Sequence, residues 1–142
     1  MLVKKLTLQE VELIAHDLAQ RLMAWNEPIP PFKTRSAHKL ESCITQPYMS
    51  FGGKELYPGF INKAAILFYL MNKNHPFLNG NKRVAMTTLF YFLSIHSFWL
   101  NVDQQRLYNF AKWVSASPPE FKDDVVRTIK KFVNTYLGPF DK

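Results

Sequence analysis

At 142 residues, with 47% hydrophobic and 15% aromatic side chains, the chain is one domain, 1–142, with enough apolar surface for a real core, which excludes a disordered polypeptide. The net charge of +7 permits phosphate binding, yet only Lys4-Lys5, Lys82-Arg83 and Lys130-Lys131 are adjacent, so no basic arm or stripe marks a nucleic-acid binder. No uninterrupted apolar run has membrane-spanning length, Met1-Leu2-Val3-Lys4-Lys5-Leu6 does not read as a signal peptide, and the single Cys43 excludes an internal disulfide and fits a reducing, cytoplasmic setting.

Thr7 is placed to cap a first helix whose apolar positions Val11, Ile14, Ala15, Leu18 and Leu22 recur at helical spacing, ending near Trp25. His16 falls off that stripe and is expected at the surface. Asn26-Glu27-Pro28-Ile29-Pro30-Pro31 then breaks the helix. A short helix is predicted from Ser36 to about Thr45, burying Leu40 and Ile44 and leaving His38 exposed. From Pro47 to Pro58 two prolines and Gly52-Gly53 forbid a helix, and the glycine pair allows a tight turn between short extended arms.

A greasy helix is expected from Tyr57 or Pro58 to Asn74, with Lys73 complementing its C-terminal dipole, and a second from Val84 to about Phe98, containing a hydrogen-bonded core His96. Asp103 can cap a helix through Leu107, Phe110, Ala111 and Val114, which Ser117-Pro118-Pro119 ends. Glu120 opens a last one carrying Phe121, Val125, Ile129, Phe132, Val133 and Tyr136. Six or so helices and at most one hairpin predict an all-α bundle. No spacing of His, Cys, Asp and Glu marks a zinc site, and Cys43 is read as a small core residue.

Between the two greasiest helices lies His75-Pro76-Phe77-Leu78-Asn79-Gly80-Asn81-Lys82-Arg83. A polar loop joining two central helices is held rigidly, which suits catalysis. Asn79 is read as the N-cap of the second helix, so the N–H groups of Gly80, Asn81 and Lys82 point forward at the positive end of the helix dipole. Gly80 would admit a ligand to the backbone, while Lys82 and Arg83 add charge suited to phosphate oxygens. His75, with an ordinary pKa of about 6.5, can accept a proton. Phe77 is expected to point inward as an anchor. One base beside one phosphate cradle predicts transfer of a phosphate-containing group.

This nine-residue stretch closely resembles the signature of the Fic/Doc family, and Lys82 resembles the Doc (death on curing) branch; Phe51-Gly52-Gly53-Lys54-Glu55-Leu56-Tyr57-Pro58 and the helix with Lys63-Ala64-Ala65 are also similar, so the resemblance covers roughly residues 6–100. It implies an ATP- and Mg2+-dependent enzyme in which His75 is the general base toward a protein hydroxyl and Asn79, Gly80, Asn81, Lys82 and Arg83 bind phosphate. It implies further that Phe51, Gly52, Gly53 and Lys54 form a flap, often a hairpin, that holds the target by strand addition.

Most Fic enzymes have glycine at the position of Lys82 and transfer AMP, whereas the Doc branch transfers the γ-phosphate. Doc-like members are toxins that phosphorylate elongation factor Tu and are restrained by an antitoxin. No Ser/Thr-x-x-x-Glu-Gly/Asn self-inhibitory pattern occurs, so control is expected from a second chain. AMP transfer is one alternative and demands that Lys82 tolerate the other nucleotide orientation; Asn79 departs from the family's acidic metal ligand, and because a neutral amide holds Mg2+ less well, an impaired binding protein is another.

Overall fold

The computed structural model describes residues 2–22 and 28–140. The expected end of the first helix near Trp25 lies outside them. Helix α1 comprises an α-helical turn at Leu8–Glu10, a π-wound segment at Val11–His16 and α-helix again at Asp17–Leu22. Thr7 caps it through a reciprocal box: its Oγ1 accepts from Glu10 N at 3.1 Å, and its N–H donates to Glu10 Oε1 at 3.0 Å.

Val11, Ala15, Ala19 and His16 are buried, while Ile14 and Leu18 are only half-buried. His16 is therefore not the surface histidine that α-helical spacing predicts. The wider π turn rotates the stripe, and His16 Nε2 lies 3.0 Å from the Pro30 carbonyl, with its ring packed on Phe32 and Phe77.

Helix α2, Ala37–Thr45, buries Leu40, Cys43 and Ile44, and His38 is exposed as expected. Burial pushes the Cys43 thiol up to about 12, in keeping with a core residue. Strands β1 (Ser50–Phe51) and β2 (Lys54–Glu55) form an antiparallel hairpin, with Ser50 opposite Glu55 and Phe51 opposite Lys54. Gly52 and Gly53, at φ 58° and 78°, make its turn, a conformation other residues adopt only with strain.

Helix α3, Phe60–Lys73, is the centre of the molecule: every residue from Lys63 to Asn72 is buried. It packs on α4 (Asn81–Ser94) and α6 (Lys122–Tyr136), with α5 (Gln104–Ala116) also against it. Helix α4 stops at Ser94 rather than near Phe98. Ser97 takes φ 66°, and Phe98–Leu100 becomes β3, pairing antiparallel with β4, Leu137–Pro139. This second ladder joins segments far apart in the chain, which local periodicity cannot register. His96 is the core histidine expected: Nδ1 lies 2.7 Å from the Phe92 carbonyl, and Nε2 accepts from Lys4 N at 2.8 Å.

Asp103 caps α5 by accepting from Arg106 N at 2.8 Å. A 3-10 turn at Pro119–Phe121 precedes α6, which therefore opens at Lys122 rather than Glu120 and leaves Phe121 half exposed. The fold among the described residues is an all-α bundle of six helices with two small antiparallel ladders. No helix among them is long and apolar enough to cross a membrane.

Candidate active site

His75 follows the last turn of α3, after Asn74, and is solvent-exposed in the left-handed region at φ 48°. That conformation is rare for a residue with a Cβ and persists only where its surroundings enforce it. Here they do. The Pro76 carbonyl accepts from Ser36 N at 2.8 Å, and buried Phe77, the inward anchor expected, sits among the His16 and Phe32 rings at centroid distances of 5.5 and 5.9 Å. Asn81 then closes the loop: its Oδ1 accepts from Phe77 N and its Nδ2 donates to Phe77 O, both at 2.9 Å.

The N-cap of α4 is Gly80, not Asn79. Gly80 adopts φ 73°, and Asn79 Oδ1 accepts from Gly80 N at 2.8 Å, so that N–H is engaged rather than aimed at a ligand. Nor does the glycine open the backbone on its Cβ side. A Cβ there would lie 2.6 Å from Ile29 Cγ1, so Gly80 is required by its dihedral and by the press of Ile29. Arg83 is 4% exposed and donates through Nη2 to the Ala19 carbonyl at 2.5 Å, tying α4 to α1. Thus the Asn81 amide and the Arg83 guanidinium both engage the protein body, while His75, Asn79 and Lys82 reach solvent.

Around His75 the charge is uniformly positive. Partial burial, then Lys82, Lys39 and Lys73, lower its pKa below the ordinary 6.5, so at neutral pH the imidazole is the free base. Lys39 is a member of this cluster that the motif did not reveal. It comes from α2, and only the docking of α2 on the Pro76 carbonyl brings it near. Lys73, already a candidate for helix-end stabilisation, donates to the carbonyls of Ser115 and Ser117 at the end of α5.

The hairpin stands at the other end of α3. Phe51 is 82% exposed at its tip. Its base is fastened by buried Lys63, whose Nζ donates to Glu55 Oε1 at 2.8 Å and to the Tyr57 carbonyl at 2.6 Å.

Lysines suit a polyphosphate, whereas the donor set suits Mg2+ poorly. Among the described residues no group of three or more His, Cys, Asp and Glu could hold a metal, and the Asn79 oxygen already accepts an N–H. A divalent ion at this loop would depend on oxygens brought by the substrate phosphates.

Residues 5–93 match the model of the Fic/DOC family. The chain is 32% identical over 71 residues to a protein of Mycolicibacterium smegmatis (strain ATCC 700084 / mc(2)155) named Toxin Doc, covering 50% of this chain and 55% of that protein. The chain thus spans only about half the length of this curated relative. No solved structure matches. The matched residues carry α1 through α4, with the hairpin, the left-handed histidine and the loop braced by Asn81, and on that match the chain belongs to the Fic/Doc family.

Proposed function

We propose that the protein is a Doc-like toxin that transfers the γ-phosphate of ATP to a serine or threonine hydroxyl of a target protein. The observation that carries this reading is the placement of His75, presented to solvent on a loop braced by Asn81, with Lys82, Lys39 and Lys73 contributing to lowering its pKa. His75 accepts the hydroxyl proton as the new O–P bond forms and the bond from the γ-phosphorus to the β-bridging oxygen breaks, releasing ADP. Lys82 holds the phosphate chain, and the first turn of α4 turns the positive end of its helix dipole toward the same charge. Asn79, Gly80, Asn81 and Arg83 then act mainly by shaping the loop, with Asn79, at the position of the family's acidic metal ligand, the candidate to touch a phosphate-borne metal ion. The exposed hairpin edge at Phe51, Gly52, Gly53 and Lys54 receives the target backbone.

Elongation factor Tu is the first target to test, the setting is the cytoplasm, and the restraining partner is an antitoxin chain whose acidic residues would complement the net charge of +7. Purified protein is incubated with that factor and ATP labelled separately at the α and γ positions. Label from γ supports this reading, label from α replaces it with AMP transfer, and label from neither identifies a binding protein that has lost transfer through Asn79.

A further inference from the structure

A cleft of about 450 Å3 runs between α2 and the hairpin, lined by His38, Glu41, Ser42, Thr45, Met49 and Leu56 among others. The four α2 residues recur at i, i+3, i+4 and i+7, so they form one stripe, opposite the buried Leu40 and Ile44. The other wall follows from the hairpin register. Leu56 N donates to Met49 O at 3.0 Å, which continues the ladder by one pair beyond Ser50–Glu55. Side chains alternate along a strand, so Met49, Phe51, Lys54 and Leu56 share one face, and Ser50 and Glu55 share the other, where Glu55 meets Lys63. Met49 and Leu56 are each 50% exposed and Phe51 82%, an uncovered apolar strip on a hairpin too short to have a core of its own.

The polar wall has one dominant charge. Thr45 Oγ1 donates to the Glu41 carbonyl and Ser42 Oγ accepts from Gln46 Nε2, so both hydroxyls are engaged. The Glu41 carboxylate, by contrast, has no ion pair among the described residues, although the chain has seven more cations than anions. A carboxylate lining the same cleft as an apolar strip complements a side chain with an aliphatic stem and a cationic end. The cleft also lies along the route from hairpin to base, because α2 begins at Ser36, whose N–H binds the Pro76 carbonyl beside His75.

We propose that this cleft binds an arginine or lysine side chain of the target segment, its stem on Met49 and Leu56 and its charge at Glu41, and so selects target sequences with a basic residue near the acceptor hydroxyl. The proposal rests on the hairpin receiving the target, as above, and adds which side chain the site prefers. Other occupants, such as an acidic or purely apolar side chain, are outcomes of the same test.

The test uses fluorescein-labelled synthetic peptides with a central serine, each carrying Arg, Glu or norleucine at one flanking position in turn, with binding measured by fluorescence anisotropy in the absence of ATP. At one position Arg is expected to bind about fivefold more tightly than Glu, and Glu41→Lys is expected to abolish or invert that preference. Glu41 is exposed, so the variant keeps its fold, which its melting temperature verifies. Absence of an Arg preference at every position, equal preference in Glu41→Lys, tightest binding by the norleucine series, or binding no better than a scrambled peptide overturns the proposal. Labelling from ATP is read separately, with His75→Ala as control. Failed transfer with an intact Glu41-dependent preference removes the kinase reading alone, whereas transfer indifferent to Glu41 removes this one alone.

Discussion

The side-chain amide of Asn81 straddles the backbone of Phe77, accepting from its N–H and donating to its carbonyl at 2.9 Å each, so the residue that begins α4 is tied to the one that anchors the loop. Both partners are buried. Replacement by alanine leaves two buried backbone groups without partners and is expected to destabilise the fold by about 1–3 kcal/mol in urea titration. Asn81→Asp retains the acceptor but sets an oxygen against the Phe77 carbonyl, and is expected to lose at least as much. Unchanged midpoints in both variants contradict the bracing role.

The pH profile of transfer follows from the lysines around His75. With its pKa below 6.5 in the fold, the histidine is the free base at neutral pH, and the proposed transfer is expected to fall as pH drops through that lowered value. Removing Lys82 removes one of the causes of the shift. In Lys82→Ala the imidazole resonance should titrate at higher pH by NMR, still below 6.5 because partial burial, the largest cause, remains. A midpoint that stays put means that Lys82 is not electrostatically coupled to the base.

Asn79→Asp separates metal use from loop shape. A carboxylate accepts from Gly80 N as readily as the amide oxygen does, so the loop keeps its cap while gaining a charged oxygen. Mg2+-dependent labelling from ATP is expected to rise about fivefold, the difference between neutral and charged partners. A flat or lower rate shows that asparagine is already the working residue.

Gly80→Ala meets two obstacles at once: a left-handed φ of 73° and a Cβ 2.6 Å from Ile29 Cγ1. The expected loss is about 1–3 kcal/mol. In an Ile29→Ala background the added loss should shrink to the dihedral part, read as a double-mutant cycle by chemical denaturation.

Lys63→Met keeps the volume of a buried side chain and deletes its hydrogen bonds to Glu55 and the Tyr57 carbonyl. Amides of Ser50–Leu56 are expected to exchange about tenfold faster, with α3 amides little changed. Equal protection in both proteins would show that the hairpin is held by other contacts.

The amino-acid order determined whatever depends on neighbours within a turn or two: the Thr7 box, the Asp103 cap, the Gly52-Gly53 hairpin, the burial of α3 and the motif that carries His75. Tertiary structure decided what distant segments do to one another. It turned His16 inward through a π-wound turn, passed the cap from Asn79 to Gly80 under Ile29, committed Arg83 to Ala19 and paired β3 with β4. It also brought Lys39 of α2 to His75. The reason is physical: caps and periodicity are local energies that the chain displays residue by residue, whereas burial, close approach and the field at one imidazole depend on which surfaces meet once the helices have packed.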